Sequence, residues 1–583
     1  MPNYFTGCPD LLFQFDRLDL KDAVRILERD YTEAELFPYA PKSYDEAMEI
    51  YRSALELVGD LAGNFVAPRA GAVDAEGSTF RDGKVQYAQG TQDALEKLAE
   101  AGLTAVIIPR KYGGSNFPAT VYIMMIEMIS RADASLMTLF GYQDVGETIA
   151  RLGTESQGKE FLLKYATGEW TGATCLSEPG AGSDLQSVKL RAYQDSTGQW
   201  RLNGVKHFIS NGCGQVLVVL ARSEPGTNNM FGLSLFVCHG GETVQVTHIE
   251  DKMGLNGSPT CELYFNDTPA QLLGRRRFGL INVLYILNHA RFSVAAQGLG
   301  IAEAAFEQAL TWCRERIQFG KVLYSMPPIS NTLIDMRVTI EAARSLLYAS
   351  TQWLDLRNKL EEEIAERKAH GKPVEDLKKQ FERAARYVDL LSPMVKYSVT
   401  EAANRIVYDA LQLHGGMGYM KEMAIERLAR DVRITSIYEG ATSVQVVGAA
   451  KSVMSDVLSD WFAERERMAV TRELQSVADQ LMKLRALFLD SLASVRDHDK
   501  ASFREAAARD LTDMYCDLFT GYLLLEEAQV TERKRLIAER YAKKALSRAA
   551  AGAEAIRTGQ YSDLSTADVF CLDGSAAPPP SSV

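Results

Sequence analysis

The sequence predicts a mainly α-helical protein with a central β domain. Two observations carry this. Apolar residues recur at three- and four-residue spacing over the first ~170 residues and again from Leu280 onward, the period of a helix with one buried face. Between about residues 171 and 279, short β-rich runs alternate with turn residues instead. At 583 residues the chain is long enough for three or four domains. The expected division is a helical domain at 1–170, a middle β domain at 171–279 and a second helical domain at 280–454. Further helices follow at 455–560, with a flexible tail at 561–583.

In the first part, Ala-Leu-Glu-Lys-Leu-Ala-Glu-Ala-Gly at 94–102 spaces its apolar residues for a helix, with Gly102 as the C-terminal stop. Residues 121–137 repeat the pattern. In the middle, Gln-Trp-Arg-Leu-Asn-Gly-Val-Lys-His-Phe-Ile at 199–209 contains Asn203-Gly204, which signals a hairpin turn. Residues 216–221 and 233–238 read as further strands. Within the second helical part, residues 360–386 form a dense charge run broken at Gly-Lys-Pro, 371–373, and read as a solvated helical excursion. From Ser455 the helices are amphipathic. The end, Gly-Ser-Ala-Ala-Pro-Pro-Pro-Ser-Ser-Val at 574–583, has the composition of a tail. No internal repeat is visible.

Composition excludes several function classes. The formal net charge is -12, which argues against broad nucleic-acid binding. No apolar run is long enough to cross a bilayer, and no signal peptide opens the chain, so a cytoplasmic protein is expected. The eight cysteines are scattered without a C-x-x-C pair, so neither a metal site nor a disulfide framework is expected.

Four segments carry residues suited to chemistry. The first is Thr-Cys-Leu-Ser-Glu-Pro-Gly-Ala-Gly-Ser-Asp at 174–184. Its glycines let backbone approach a flat or anionic ligand, and Ser177 and Ser183 add hydroxyls. A tight polar loop would read the same way. The second is Phe-Ile-Ser-Asn-Gly at 208–212, in which Phe208 could stack on a ring that Ser210 hydrogen-bonds, or simply be buried beside a turn. The third, Arg-Glu-Arg-Ile-Gln-Phe-Gly-Lys at 314–321, suits a phosphate or an ordinary helix C-terminus. The fourth runs from Leu-Gln-Leu-His-Gly-Gly-Met-Gly-Tyr at 411–419 to Ile-Tyr-Glu-Gly-Ala-Thr-Ser-Val-Gln at 437–445. There Glu439 lies in a short loop in apolar company, which raises a carboxyl pKa and suits a general base. It could equally be a surface carboxylate.

In this order and spacing the four segments resemble the acyl-CoA dehydrogenase family, from about residue 98 to 445. The resemblance implies an N-terminal helical domain, a middle β-barrel or sandwich and a C-terminal four-helix bundle. FAD would be bound between the last two, and the activity would be oxidation of an acyl-CoA thioester to the trans-2-enoyl-CoA. On this pattern Thr174, Leu176, Ser177, Gly182 and Ser183 line the flavin, with Ser183 also near CoA, and Phe208 and Ser210 cover the ring and bond near N5. Arg316, Gln318 and Phe319, and likewise Gln412, Gly415 and Gly416, match segments that reach the FAD of a neighbouring subunit. Ala441 and Ser443 complete the cofactor set. Arg291, Tyr438, Glu439 and Gly440 face the substrate together with Ser183. Glu439 matches the base that takes the α-proton while the β-hydrogen leaves as hydride to flavin N5. The thioester carbonyl would be held by the base's own N–H and the flavin ribityl chain. An electron-transfer flavoprotein is the implied partner and a homodimer or homotetramer the implied assembly. Membrane contact is not expected.

Several positions depart from relatives. Ala290 stands where some carry the base. Met137 stands where glutaryl-type members have an Arg, which argues against a dicarboxylate substrate. Ala441 replaces the usual hydroxyl or carboxylate residue, leaving Thr442 to compensate. The charged insertion and Leu-Ser-Pro-Met-Val-Lys at 391–396 resemble a long bacterial subgroup that includes methylthiopropanoyl-CoA dehydrogenases. The alternatives are an acyl-CoA oxidase passing electrons to oxygen and a non-catalytic scaffold of the same fold.

Overall fold

A computed structural model describes residues 3–559 together with Tyr561 and Cys571. The tail segment at 574–583 lies outside the described residues. The chain divides into two compact units, one through Thr442 and one from Ser443 on.

The first unit opens with short helices. Ser43 caps the Tyr44–Asp60 helix by accepting the Glu46 N–H at 3.2 Å. The Gln89–Glu100 helix ends as its sequence suggests, with Gly102 at φ +69° just beyond it. The single helix expected over 121–137 is instead two, Ala119–Ala132 and Ala134–Phe140. Between them the Asp133 carboxylate accepts the Ser135 N–H at 2.8 Å and so starts a new helix. A small hairpin, Thr79–Arg81 with Lys84–Gln86, turns on Asp82-Gly83, both at positive φ.

The β region is a closed structure. Val216–Arg222 pairs with Leu233–His239, which pairs with the long Thr260–Leu273 strand. That strand pairs with Trp200–Ser210, then comes Arg191–Gln194, which returns to Val216–Arg222. Gly172–Cys175 is added parallel to Val216–Arg222, and Val244–Ile249 is added to Thr260–Leu273. Ring closure removes the open edges a flat sheet would present. Val216–Arg222 is buried on both faces. Val216, Val218 and Leu220 face a core shared with Ile108, Tyr112, Val145 and Phe161 of the N-terminal helices, while Leu217, Val219 and Ala221 face the barrel interior. This is why the run reads as uninterrupted apolar sequence.

Asn203-Gly204 does not form the expected hairpin turn. Both residues lie inside Trp200–Ser210, where the register shifts between Leu202 and Gly204. Gly204 sits at φ +141°, and a Cβ there would come 3.1 Å from the Leu190 backbone, so the glycine serves a bulge with close packing. The reversal is made earlier, where Asp195 Oδ1 accepts the Thr197 and Gln199 N–H groups.

Three long helices, Gly279–Glu315, Pro327–Ala369 and Glu375–His414, pack with Ala119–Ala132 as a bundle. The charge run lengthens the last two beyond the bundle and turns between them at 370–374. Leu360, Ile364, Val374 and Leu377 close the extension with a small core. In the bundle centre Arg344, fully buried, bonds Asp10 at 2.5 Å, Glu127 at 2.6 Å and Glu303 at 2.8 Å.

The second unit contains Ser459–Glu466, Gln475–Arg496, Ala501–Ala528 and Glu532–Thr558. They enclose an aromatic core in which Trp461, Phe462, Phe488, Tyr515 and Phe519 meet edge-on or tilted. Beside it, Arg485 holds Asp456 through two bonds of 3.0 and 2.6 Å. No described helix in either unit is long and apolar enough to cross a membrane.

Candidate active site

Glu439 occupies an unusual backbone position. It has φ +54° and Gly440 follows at φ +94°, two left-handed residues in succession between the turn at Arg433–Ser436 and the helix beginning at Thr442. A non-glycine residue there is strained, and such strain persists only where neighbours hold it. The Glu375–His414 helix supplies the holding groups. Lys396 Nζ donates to Gly440 O at 2.8 Å, Glu401 accepts the Thr442 hydroxyl, and Asn404 Nδ2 donates to Val432 O at 3.3 Å. From the Gly279–Glu315 helix, Gln297 accepts the Tyr438 hydroxyl and donates to Ala134 O at 3.1 Å.

Burial raises the Glu439 pKa above the ordinary carboxyl value, while the positive charges of Lys396 and then Arg291 pull it down. Burial lowers Lys396 to about 8 despite the nearby Glu439 carboxylate. Arg291 lies on the Gly279–Glu315 helix, reaches Asn288 Oδ1 at 3.2 Å, and leaves its buried Nε without a hydrogen-bond partner. Tyr438, Gly440 and Ala441 are all half-buried around the carboxylate, and Ser443 is exposed in the first turn of the Thr442–Met454 helix.

The segments at 174–183 and 208–210 come together on the barrel. Lys206 Nζ, fully buried, donates to Leu176 O at 2.8 Å and Glu178 Oε1 at 2.9 Å, and His207 N–H donates to Ser177 O at 3.0 Å. The remaining Glu178 acceptors take the Lys189 and Leu190 N–H groups, and Glu178 and Ala181 exchange backbone bonds of 3.0 Å. The Pro-Gly-Ala-Gly loop is thereby fixed. Phe208 sits at φ +59° and is 60% exposed, so it is not the buried strand aromatic that one reading allowed. Tyr142 OH donates to Ser210 O at 2.8 Å. Tyr142 also lies within the electrostatic reach of Glu439, linking the two halves of the site.

Arg316 and His414, within residues 412–416, both lie against Trp312. The Arg316 guanidinium lies 5.8 Å from the Trp312 ring, and Trp312 stacks on His414 at 5.2 Å. Gln318 and Phe319 form a tight hairpin whose turn, Phe319-Gly320, has φ +52° and +72°. Phe319 is 93% exposed and Tyr419 78% exposed. Gln412, Gly415 and Gly416 are exposed as well.

Sequence reasoning missed the supports of the Glu439 turn. Lys396 is a lone cation in the apolar run 390–397, and Gln297 a lone amide among small apolar residues at 292–299. A single polar group in a stretch that must be buried is itself a signal, because it requires a buried partner.

Three family models match in succession: the acyl-CoA dehydrogenase N-terminal domain over residues 48–169, the middle domain over 173–268 and the C-terminal domain over 278–454. The 3-methylmercaptopropionyl-CoA dehydrogenase of Ruegeria pomeroyi is 31% identical over 463 residues, spanning 75% of this chain and 74% of that one. The chain belongs to the acyl-CoA dehydrogenase family. Butyryl-CoA dehydrogenase from Megasphaera elsdenii has a similar structure, with TM-score 0.59 and 29% identity over 70% of this chain and 98% of its own. An acyl-CoA dehydrogenase from Bacillus anthracis complexed with FAD shares the fold at TM-score 0.75 and 24% identity, covering 89% of each chain. As a member of this family the protein is an FAD-dependent oxidoreductase.

The residues present fit FAD. The hydroxyls of Thr174, Ser177 and Ser183 make no side-chain hydrogen bond among the described residues, so they are available to a polar ligand edge. Space beside Gly180 and Gly182, and beside Gly415 and Gly416, is open where a Cβ would project. The Phe208 ring packs on His207 at 3.9 Å between centroids and is otherwise exposed, which leaves area for stacking on a flat heterocycle.

Proposed function

We propose that this acyl-CoA dehydrogenase oxidises an acyl-CoA thioester to the trans-2-enoyl-CoA with Glu439 as the base that removes the α-proton. The observation that supports this reading most is the Glu439 turn: a carboxylate on a left-handed backbone whose Gly440 carbonyl accepts from Lys396 and whose Tyr438 hydroxyl donates to Gln297, with the charges of Lys396 and Arg291 acting on it. A carboxyl raised by burial yet kept ionisable by two cations is suited to accepting a carbon-bound proton near neutral pH. The Glu439 backbone N–H is the group we assign to the thioester oxygen, where one such donor stabilises developing charge by about 3 kcal/mol. FAD, when bound, supplies the acceptor for the hydride lost from Cβ. Thr174, Leu176, Ser177, Gly182, Ser183, Phe208 and Ser210 are assigned to holding it. Arg316, Gln318, Phe319, Gln412, Gly415 and Gly416 are assigned to a neighbouring subunit's cofactor, in a homodimer or homotetramer. An electron-transfer flavoprotein is the proposed electron acceptor, and the cytoplasm the proposed location.

Glu439→Gln tests the assignment, since the amide keeps the shape but cannot take the proton. FAD content and thioester binding should survive, while anaerobic flavin reduction should fall by about 10²–10⁴-fold. Near-equal reduction rates at equal FAD occupancy would remove Glu439 from the mechanism. Peroxide formation at the rate of turnover would replace the electron-transfer flavoprotein with oxygen and make the enzyme an oxidase.

A further inference from the structure

Lys206 stands at an inward position of the barrel. On the Trp200–Ser210 strand it shares the parity of Leu202, and after a register shift Ile209 continues the inward row. Leu202 and Ile209 belong to the barrel core, and Lys206 between them is fully buried as well. Its Nζ donates to Leu176 O at 2.8 Å and to Glu178 Oε1 at 2.9 Å, the residues on either side of Ser177. Glu178 is almost as buried, its side chain 8% exposed, and its carboxylate also accepts the Lys189 and Leu190 N–H groups. The strand is irregular from this point on. Lys206 pairs with Leu263 and the next pair is Ile209 with Cys261, so His207 and Phe208 stand opposite the single residue Glu262, and Phe208 turns to φ +59°.

A buried ion pair is a poor way to hold a barrel together. Its desolvation costs about as much as the attraction returns, and an apolar pair of similar volume is often at least as stabilising. What the ion pair adds is direction. Apolar side chains tolerate sliding, whereas an ammonium bonded to two acceptors fixes their separation. Lys206 thereby ties the 176–178 segment to its own strand, and the His207 N–H, on Ser177 O at 3.0 Å, is a second tie. The parts so joined carry the Ser177 hydroxyl, which has no side-chain partner among the described residues, and the 60% exposed Phe208 ring. Through Glu178 the same tie reaches the Pro-Gly-Ala-Gly loop, since Glu178 and Ala181 exchange backbone bonds.

We propose that Lys206 is a positioning residue for FAD: it holds the 176–178 and 208–210 segments as one preformed cradle, so that its loss weakens flavin binding far more than it weakens the fold. The inference rests on the assignment of Ser177, Gly182, Phe208 and Ser210 to the flavin. A cradle already in its bound arrangement loses little freedom when the ligand enters, and the affinity gained is the ordering cost avoided. Lys206 acts through Leu176 and Glu178 rather than by contact with the cofactor. Removing it frees the two segments to shift apart, while the core formed by Leu202, Leu217, Val219 and Phe236 stays in place. The loss therefore falls on binding.

FAD titration of the FAD-stripped protein, followed by flavin fluorescence, and denaturant unfolding of the same FAD-free protein test this together. Lys206→Met should raise the FAD dissociation constant at least about tenfold, the factor that corresponds to losing one charge-assisted hydrogen bond. That variant leaves Glu178 unpaired, so Lys206→Met/Glu178→Gln covers the case in which it fails to fold. The double variant should keep the wild-type denaturant midpoint and show the same loss of FAD affinity. Wild-type FAD affinity in a folded variant would overturn the inference. So would a midpoint that falls in step with the affinity, or failure of both variants to fold, because the pair would then be a staple of the barrel alone. Gly182→Phe fills the open space beside Gly182 and should abolish FAD binding. Intact binding there would overturn the assignment of the site itself. Lost binding there, with wild-type affinity in the Lys206 variants, would overturn only the role of Lys206.

Discussion

Replacing Lys396 by Met separates a group that tunes the proposed base from one that merely fills space. Lys396 is fully buried, and its Nζ lies 2.8 Å from Gly440 O, one residue beyond Glu439. Of the two cations that lower the Glu439 pKa, it has the larger effect and Arg291 the smaller. An opposite charge at close range lowers a carboxyl by about 1–3 units, and each unit is about 1.4 kcal/mol between protonation states. In the proposed reaction only the carboxylate can act, so the rate of flavin reduction should rise with pH as Glu439 ionises. Lys396→Met should move that rise upward by at least about one pH unit, so a tenfold deficit on the acid limb should disappear on the plateau. Stopped-flow reduction across the pH range, at equal FAD occupancy, measures the shift. Lys396→Arg keeps the charge and should keep the limb in place. An unmoved limb in Lys396→Met, or the same shift in Lys396→Arg, would refute the electrostatic role. Stability supplies a second readout. Lys396 titrates at about 8 in the folded chain against 10.5 when unfolded. Between those values the unfolded chain holds a proton the folded one has released, so stability should rise with pH across that window, by about 3 kcal/mol at most. The Met variant should lack that rise.

Two further predictions concern the frame. Arg344→Met leaves Asp10, Glu127 and Glu303 buried without their shared cation, and should cost about 3–5 kcal/mol, read as a lowered denaturant midpoint. A midpoint within error of wild type would refute the role of Arg344 as their shared partner. Asp355 accepts the Ala119 and Thr120 N–H groups at 2.6 and 2.9 Å and the Thr120 hydroxyl at 2.6 Å, capping the Ala119–Ala132 helix from another helix. Asp355→Ala should destabilise by about 1–3 kcal/mol, and a melting temperature matching wild type would refute the capping role.

The order of helical, β and helical regions was legible because each rests on a local period: Val216–Arg222, for instance, announces a doubly buried strand by its composition. The Glu439 turn was legible only through resemblance, since nothing local distinguishes Glu439 from another loop carboxylate. Its left-handed φ depends on Lys396, Glu401 and Gln297, which are distant in sequence. The Asn203-Gly204 reading failed for the same reason. The dipeptide permits a turn, but pairing with Thr260–Leu273 and the close approach of Leu190 made it a bulge. Conversely, Asp82-Gly83 was an equally plain signal and does form a hairpin.

The core shared by the barrel and the N-terminal helices bears on how this protein acquires its shape. Val216, Val218 and Leu220, with Leu233, Leu235 and Val237, present an unbroken apolar stripe that Ile108, Val145, Phe161 and Leu162 cover. Excised at its sequence boundaries, the barrel would carry that stripe naked into solvent, an adhesive surface rather than an autonomous module. The helices emerge first in synthesis and must wait for the strands that complete their interior, and the strands need those helices in place to escape self-association. The segments that sequence comparison separates are therefore one cooperative melting body, and a lesion in either should be felt as loss of both.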